Sequence, residues 1–274
     1  MSDFWVIGTG QSVLRYKKEI KRLHEEKKNI FAFHRAFPDC IPHLDVLPTH
    51  WMYVDPHAAI PGLEYMLKNP DLEMKVYIPI PLVTLDDPRD LQKYAGGSVI
   101  ANDPKKWASY MELLNKVRET SKSEFIEVPI TTTKEILNDA IKYGPLLRGL
   151  LKPEVRFAHE KVVIGTGVFK KNDKMIWADA GDIFQENKIS WCVLPFLKHI
   201  GASRAFIIGF DGLWGRFYDR NQKTKPFVGM YHFLSKWREW QDQIGMKIYS
   251  VTECSINNHI EYIPFEEAVT MEER

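Results

Sequence analysis

Short apolar runs separated by helical segments are the feature that most constrains how this chain of 274 residues folds. The first third contains four runs that each predict a strand, at 4–8 (FWVIG), 29–34 (NIFAFH), 50–55 (HWMYVD) and 74–81 (MKVYIPIP). A further run, 202–211 (ASRAFIIGFD), has the continuous apolar character of a strand that is buried on both faces. Strands that alternate with helices form βαβ units. The pattern predicts an α/β, Rossmann-like fold, with helices flanking a mainly parallel sheet.

The middle of the chain departs from this regular alternation. Prolines in 74–81 place that strand at the periphery of the sheet. Beyond it, 103–121 and 132–150 have the pattern of helices, but loop signals surround them. We therefore predict a single domain over 1–274, in which about 83–185 forms an irregular helical insertion or lid.

Composition argues against several classes of function. Lys and Arg number 37 and Asp and Glu number 36, a formal net charge of +1, which argues against a broad electrostatic surface for nucleic acid or membrane. The three cysteines, Cys40, Cys192 and Cys254, are too widely spaced to suggest a disulfide framework or a zinc ribbon. No apolar run approaches the ~20 residues of a membrane span, and the N-terminus lacks the pattern of a signal peptide. We expect a cytoplasmic protein without a membrane span.

The loop Gly8-Thr9-Gly10 directly follows the first predicted strand and precedes a helix. Backbone N–H groups at a helix N-terminus bind phosphate, glycines allow the phosphate to approach closely, and the Ser12 hydroxyl adds a donor. The dinucleotide pattern G-x-G-x-x-G is incomplete, because Val13 occupies its last position. The loop therefore favours a mononucleotide phosphate site over an NAD site. A simple turn that ends the strand is the alternative.

Polar residues end the other predicted strands as well. The carboxyl ends of parallel strands meet at one edge of a sheet, and ligands bind there. We therefore predict one nucleotide-binding site at this edge, formed by Gly8, Thr9, Gly10, Ser12, His34, Asp55 and Asp211. Asp55 is also a suitable N-cap for a helix at 57–68, which is the alternative for that residue.

Four blocks of the sequence, in this order, resemble one superfamily and cover about half of the chain. The first, IGTGQSV, is similar to the G-x-G-x-S-L loop of three groups: the bacterial lipo-oligosaccharide sialyltransferases, the Maf flagellin glycosyltransferases and the 6-hydroxymethylpterin pyrophosphokinase-like proteins. The second, WMYVDP, resembles the strand end with D-P of the last two groups. The third, LPFLKHIGASRAFIIGFDG, resembles their A-x-x-L-G-x-x-x-I-x-L-x-G-x-D segment. The fourth, GMKIYSVTECSINNHIEYIPFEEAV, resembles the T-E-containing ending of the Maf and pyrophosphokinase-like groups.

The resemblance implies transfer from an activated nucleotide. The leading hypothesis is a sialyltransferase-like glycosyltransferase that uses a CMP- or UDP-type nucleotide sugar and a glycan or other hydroxyl acceptor. A nucleic acid as the acceptor stays open. Within this hypothesis Ser190 joins the nucleotide-binding residues. Asp55 is a catalytic candidate that binds the ribose or holds Mg²⁺, although Mg²⁺ is not required.

The same resemblance suggests a general base and a phosphate clamp. The sialyltransferases carry a histidine as general base in the interval where this chain has His232, and a neutral imidazole accepts a hydroxyl proton at pH 7. Packing at the border of a helix over 227–245 is the alternative for His232. Arg216, Tyr218 and Arg220 are predicted to neutralise the leaving phosphate, with a solvated turn as the alternative.

Some positions depart from the superfamily pattern. Thr9 and Gln11 stand where Asn, Ala or Pro is usual, and Cys254-Ser255 replaces a Gly-Gly pair. His34 stands where the sialyltransferases carry asparagine. These departures leave the nucleotide and the sugar open. Two alternatives therefore remain, a pyrophosphokinase that uses ATP and Mg²⁺ and a nucleotide-binding module without catalysis.

Overall fold

The structure is a computed structural model. It describes residues 2–53, 56–81, 104–130, 169–171, 174–176, 196–197, 200–211, 213–214, 225–226, 246–253 and 260–272.

The strands of the described ranges vary in length from two to seven residues. They lie at Ser2–Ile7 (β1), Ile30–Phe33 (β2), His50–Met52 (β3), Lys75–Pro81 (β4), Glu124–Ile130 (β5), Phe169–Lys171 (β6), Lys174–Ile176 (β7), Ala202–Ile208 (β8), Leu213–Trp214 (β9), Lys225–Pro226 (β10), Lys247–Ser250 (β11) and Glu261–Tyr262 (β12). The helices lie at Lys17–Glu25 (α1), Ala36–Leu44 (α2), Pro56–Lys68 (α3), Pro104–Thr120 (α4) and Phe265–Glu272 (α5), and a 3₁₀ helix at Gln11–Tyr16 precedes α1.

One eight-stranded parallel sheet dominates the fold, in the order β12-β11-β8-β1-β2-β3-β4-β5. Strands β1, β2 and β8 are buried almost throughout, because each is covered on both faces, and this explains their continuous apolar sequences. The predicted α/β, Rossmann-like fold is confirmed. Two small antiparallel pairs, β6–β7 and β9–β10, lie outside this sheet.

The strand order changes direction between β1 and β8. From β1 the chain adds β2 to β5 on one side, and the later strands β8, β11 and β12 follow on the other side. Loops at such a switch point leave the sheet in opposite directions, and a crevice at the carboxyl ends of the two strands is the usual ligand site of this fold class. The topology therefore singles out the loops that follow β1 and β8.

Contacts divide the chain into two compact units, residues 1–51 with 196–274 and residues 52–195. In the first unit Trp5 is fully buried, with its ring 4.7 Å from that of Phe206 and 5.0 Å from that of Phe265, measured between centroids. In the second unit β5 pairs along the whole of β4, and α3 contacts α4. The predicted single domain with an insertion at about 83–185 stays a prediction, since most of that interval lies outside the described residues.

Strand β4 corrects one expectation of the sequence. It was predicted at the periphery because of its prolines, but it lies between β3 and β5 in the sheet. Both prolines, Pro79 and Pro81, fall in the last three residues of β4, so the first four residues keep their N–H groups for the ladder. Strand β5, which the sequence pattern did not predict, extends the sheet into the interval assigned to the insertion.

Candidate functional site

The loops that follow β1 and β8 are joined by backbone hydrogen bonds. The Gly8 N–H donates to the Ile208 carbonyl oxygen at 2.8 Å, and the Gly10 N–H donates to the Gly209 carbonyl oxygen at 2.8 Å. These bonds extend the ladder between β1 and β8 past the ends of both strands. The predicted phosphate loop is therefore held against the segment that carries Asp211, as the shared edge of the sheet requires.

Close contact between the two loops explains their glycines. A Cβ atom on Gly8 would lie 2.6 Å from the Gly209 carbonyl oxygen, and one on Gly10 would lie 2.6 Å both from that oxygen and from Asp211 Oδ2. Gly209 has a φ of +80°, and a Cβ atom there would overlap Val13 Cγ2. The glycines are thus required by the packing of one loop on the other, whatever ligand the loops bind.

Asp211, which follows the neighbouring strand β8, caps the 3₁₀ helix. The backbone N–H of Ser12 donates to Asp211 Oδ2 at 2.8 Å, and the Ser12 hydroxyl donates to Asp211 Oδ1. Both residues are buried. A carboxylate at this position satisfies an N–H group that the helix leaves without an intrahelical partner, and its charge complements the helix N-terminus. The structure therefore brings Ser12 and Asp211 together, with the Ser12 hydroxyl bound to the carboxylate.

Two other residues of the loop, Thr9 and Gln11, differ from these in their backbone N–H groups. Those of Thr9 and Gln11 donate to no acceptor within the part of the chain that the structure describes. Both residues are half-exposed, whereas Gly8, Gly10 and Ser12 are buried. Any anion that the loop binds through its backbone would therefore meet Thr9 and Gln11, while the N–H groups of the buried residues hold the loop in shape.

His34 stands at the carboxyl end of β2, beside the same loop. Ile7 and Ala32 are the last pair of the ladder between β1 and β2, and Thr9 and His34 each lie two residues past that pair. Its backbone has a φ of +55°, which is uncommon for histidine, and its carbonyl oxygen accepts the Trp51 Nε1–H at 2.8 Å. The ring stacks on that of Phe33, with the centroids 6.0 Å apart. His34 thus directly follows β2, with its backbone held by Trp51, and its role in a site stays a prediction.

The end of β11 adds residues that the sequence analysis missed. The Glu253 N–H donates to the Tyr16 hydroxyl at 3.4 Å, and Tyr262 on β12 makes a side-chain hydrogen bond with Glu253. The T-E pair of the fourth resembling block was the available signal for Glu253. It did not identify the tyrosines, because Tyr16 lies 237 residues away in the sequence.

The opposite edge of the same strands is closed by an ion pair. Buried Asp3 accepts hydrogen bonds from Arg204 Nε at 3.0 Å and from the Ser203 hydroxyl at 2.8 Å. The Asn29 side-chain amide donates to the Asp3 carbonyl oxygen at 3.2 Å. These polar groups satisfy one another, so they stabilise the amino edge of β1 and β8 and leave the carboxyl edge as the candidate site.

The remaining predicted site residues lie outside the described ranges, and their roles stay predictions. They are Asp55, Ser190, Arg216, Tyr218, Arg220 and His232. Among the described residues, no three His, Cys, Asp or Glu side chains group closely enough to hold a metal ion. The Mg²⁺ role suggested for Asp55 therefore also stays a prediction.

Comparisons of the chain with models of protein families, with curated proteins and with solved structures find no match. The superfamily resemblance therefore rests on the four sequence blocks. No helix in the described ranges has both the length and the apolar character needed to cross a membrane.

Proposed function

We propose that the loop after β1 binds the phosphate of a nucleotide sugar and that the protein transfers the sugar to a hydroxyl acceptor. One observation carries this proposal. At the switch point of the sheet, Asp211 holds a loop in which the half-exposed residues Thr9 and Gln11 have N–H groups that bond to no acceptor in the described ranges. The sequence resemblance supports the choice of sugar transfer among the reactions that a bound nucleotide permits.

In the proposed reaction the bond between the anomeric carbon and the phosphate oxygen breaks as the acceptor oxygen bonds to that carbon. The nucleotide leaves with the electron pair of the broken bond, and the acceptor proton passes to a base, for which His232 is the sequence candidate. Donors at Thr9 and Gln11 would stabilise the negative charge that develops on the leaving phosphate. His34, which follows the neighbouring strand β2, would contact the nucleoside or the sugar.

A pair of charge substitutions at Gln11 tests the phosphate position. Gln11→Glu adds a negative charge beside the bound phosphate, and Gln11→Lys adds a positive one. With charges separated by several ångströms near a surface, we expect about a 5- to 30-fold loss of CMP or UDP affinity for the first variant and no loss for the second. An acidic residue at the start of a helix favours it, while the nearby Asp211 carboxylate repels a second negative charge, so the melting temperature of Gln11→Glu without ligand is the control for its fold.

Calorimetric titration of the wild type and both variants with CMP, UDP, ATP with Mg²⁺, cytidine and uridine measures this effect. The nucleosides lack phosphate, so any affinity for them should not respond to the charge at Gln11. Equal nucleotide affinities in the two variants would place the phosphate elsewhere. Binding of ATP with Mg²⁺ in preference to CMP and UDP would favour the pyrophosphokinase alternative, and no binding of any nucleotide would reject the proposal.

A further inference from the structure

A second group of polar side chains lies at the same edge of the sheet, beyond β8. It consists of Tyr16, Glu253 and Tyr262, and we call it the Glu253 cluster. Tyr16 ends the 3₁₀ helix, Glu253 follows β11, and Tyr262 lies on β12 opposite Ser250 of β11. The Glu253 side chain is exposed, and both tyrosines are half-buried. The carboxylate is therefore accessible to a ligand, with the Tyr262 phenol beside it and the Tyr16 hydroxyl at the Glu253 N–H.

The 3₁₀ helix connects this cluster to the loop after β1. It begins at Gln11 and ends at Tyr16, so its two ends are about 10 Å apart at a rise of ~2.0 Å per residue. The sheet gives a similar distance, because β1 and β11 are separated by β8 alone, at about 4.8 Å per strand spacing. A phosphate at Gln11 and a group bound by Glu253 would therefore be separated by a space that a sugar ring can bridge.

The chemistry of the cluster matches a saccharide hydroxyl. The pKa of Tyr262 is raised, first by burial, then by the charges of Tyr16 and Glu253 and by its hydrogen bond to Glu253. Its phenol thus remains protonated and donates to the carboxylate. A carboxylate accepts about four hydrogen bonds, so Glu253 keeps capacity for ligand hydroxyls beside the one from Tyr262.

We propose that the Glu253 cluster binds the saccharide acceptor, with the Glu253 carboxylate accepting hydrogen bonds from acceptor hydroxyls. This inference rests on the proposed function, because it assigns to the acceptor the space one sugar ring away from the phosphate. It makes Glu253 a binding residue for the acceptor and gives it no part in holding the nucleotide.

Saturation-transfer NMR with the methyl glycosides of galactose, glucose and N-acetylglucosamine tests the cluster directly. We expect the wild type to bind at least one glycoside and Glu253→Gln to bind it about 10-fold or more weakly, since hydrogen bonds to a charged group are stronger than those to a neutral amide. Tyr262→Phe should weaken binding less. The matched control is Glu261→Gln, which removes an exposed carboxylate one residue earlier on β12, where the side chain faces the other way.

The proposal is overturned if the wild type binds none of the three glycosides, or if Glu253→Gln and Glu261→Gln bind them equally. Melting temperatures of the same samples with CMP and UDP separate this result from the proposed function. Glycoside binding that depends on Glu253 without any nucleotide response would reject nucleotide-sugar transfer and retain a saccharide site. A nucleotide response without glycoside binding would reject the saccharide site at Glu253 and leave the proposed function standing.

Discussion

At the scale of single residues, Gly209 and Gly201 form a matched pair that measures the packing between the two loops. Both have positive φ, +80° and +95°, so alanine at either position has the same left-handed backbone strain of about 1–2 kcal/mol. At Gly209 the added Cβ atom would also overlap buried Val13, whereas no atom of the described residues lies within 4 Å of a Cβ atom at Gly201. We expect Gly209→Ala to lower the free energy of unfolding by about 1–3 kcal/mol more than Gly201→Ala, as overpacking usually does.

Urea denaturation of both variants gives this difference. Equal losses of stability would mean that Gly209 does not pack closely against Val13. The close packing of the loop after β8 on the loop after β1 would then be wrong.

At the scale of elements, continuous apolar sequence made β1, β2 and β8 predictable, because strands buried on both faces admit few polar residues. Helix α2 was not predicted, since Pro38 and Pro42 are residues that usually interrupt a helix. Phe37, before Pro38, does have non-helical backbone angles. Strand β5 was missed because its glutamates and proline follow neither a strand nor a helix period.

The candidate site, too, could be predicted only in part from the sequence. Parallel topology predicted that the loop after β1 and Asp211 would share an edge. The sequence could not show that the Ser12 hydroxyl binds Asp211, because 199 residues separate the two and no local pattern reports such a contact.

The start of the 3₁₀ helix gives a prediction at this scale. Gly10 is extended, with φ −68° and ψ 157°, which is the conformation that a residue before proline prefers. The Gln11 N–H makes no hydrogen bond within the described ranges, and proline suits the first position of a helix. Gln11→Pro should therefore keep or raise the free energy of unfolding, by up to about 1 kcal/mol, through a less flexible unfolded chain.

Ser12→Pro is the contrasting variant, because it removes the N–H that donates to Asp211 Oδ2. Ser12→Ala separates the loss of the hydroxyl from that of the N–H. Thermal unfolding should rank Gln11→Pro at or above the wild type, Ser12→Ala below it and Ser12→Pro lowest. A destabilised Gln11→Pro would indicate that the Gln11 N–H is bonded in solution.

At the scale of the whole molecule, buried acidic groups in both compact units make the fold sensitive to alkali. Burial raises the pKa of Cys40 in the first unit well above its usual value, and the charge of Asp39 adds to the effect. In the second unit, burial raises the pKa of Tyr53, where nearby Tyr110 contributes further. The pKa of Tyr77 rises to about 12, mainly through burial and then through the charge of Glu124.

The direction of the pH dependence follows from these shifts. Each group keeps its proton in the folded state at a pH where the unfolded chain has released it, so the stabilisation is complete below the unfolded pKa and is lost as pH rises. The Cys40 thiol begins to lower the stability near pH 9.0, and the phenols of Tyr53 and Tyr77 begin to do so near pH 10.0. Each group then lowers the free energy of unfolding by about 1.4 kcal/mol per pH unit until its folded pKa is reached.

We therefore expect the free energy of unfolding to fall from about pH 9 and more steeply above pH 10, measured by urea denaturation at fixed ionic strength. Cys40→Ala should make the decline in stability less steep from pH 9 onward, and Tyr77→Phe should do so only from pH 10 to 12. Both variants should leave the slope at pH 7 to 8 unchanged. A stability that stays constant to pH 11, or a Tyr77→Phe curve parallel to that of the wild type, would contradict the burial of these groups, since an exposed phenol titrates alike in the folded and unfolded chain.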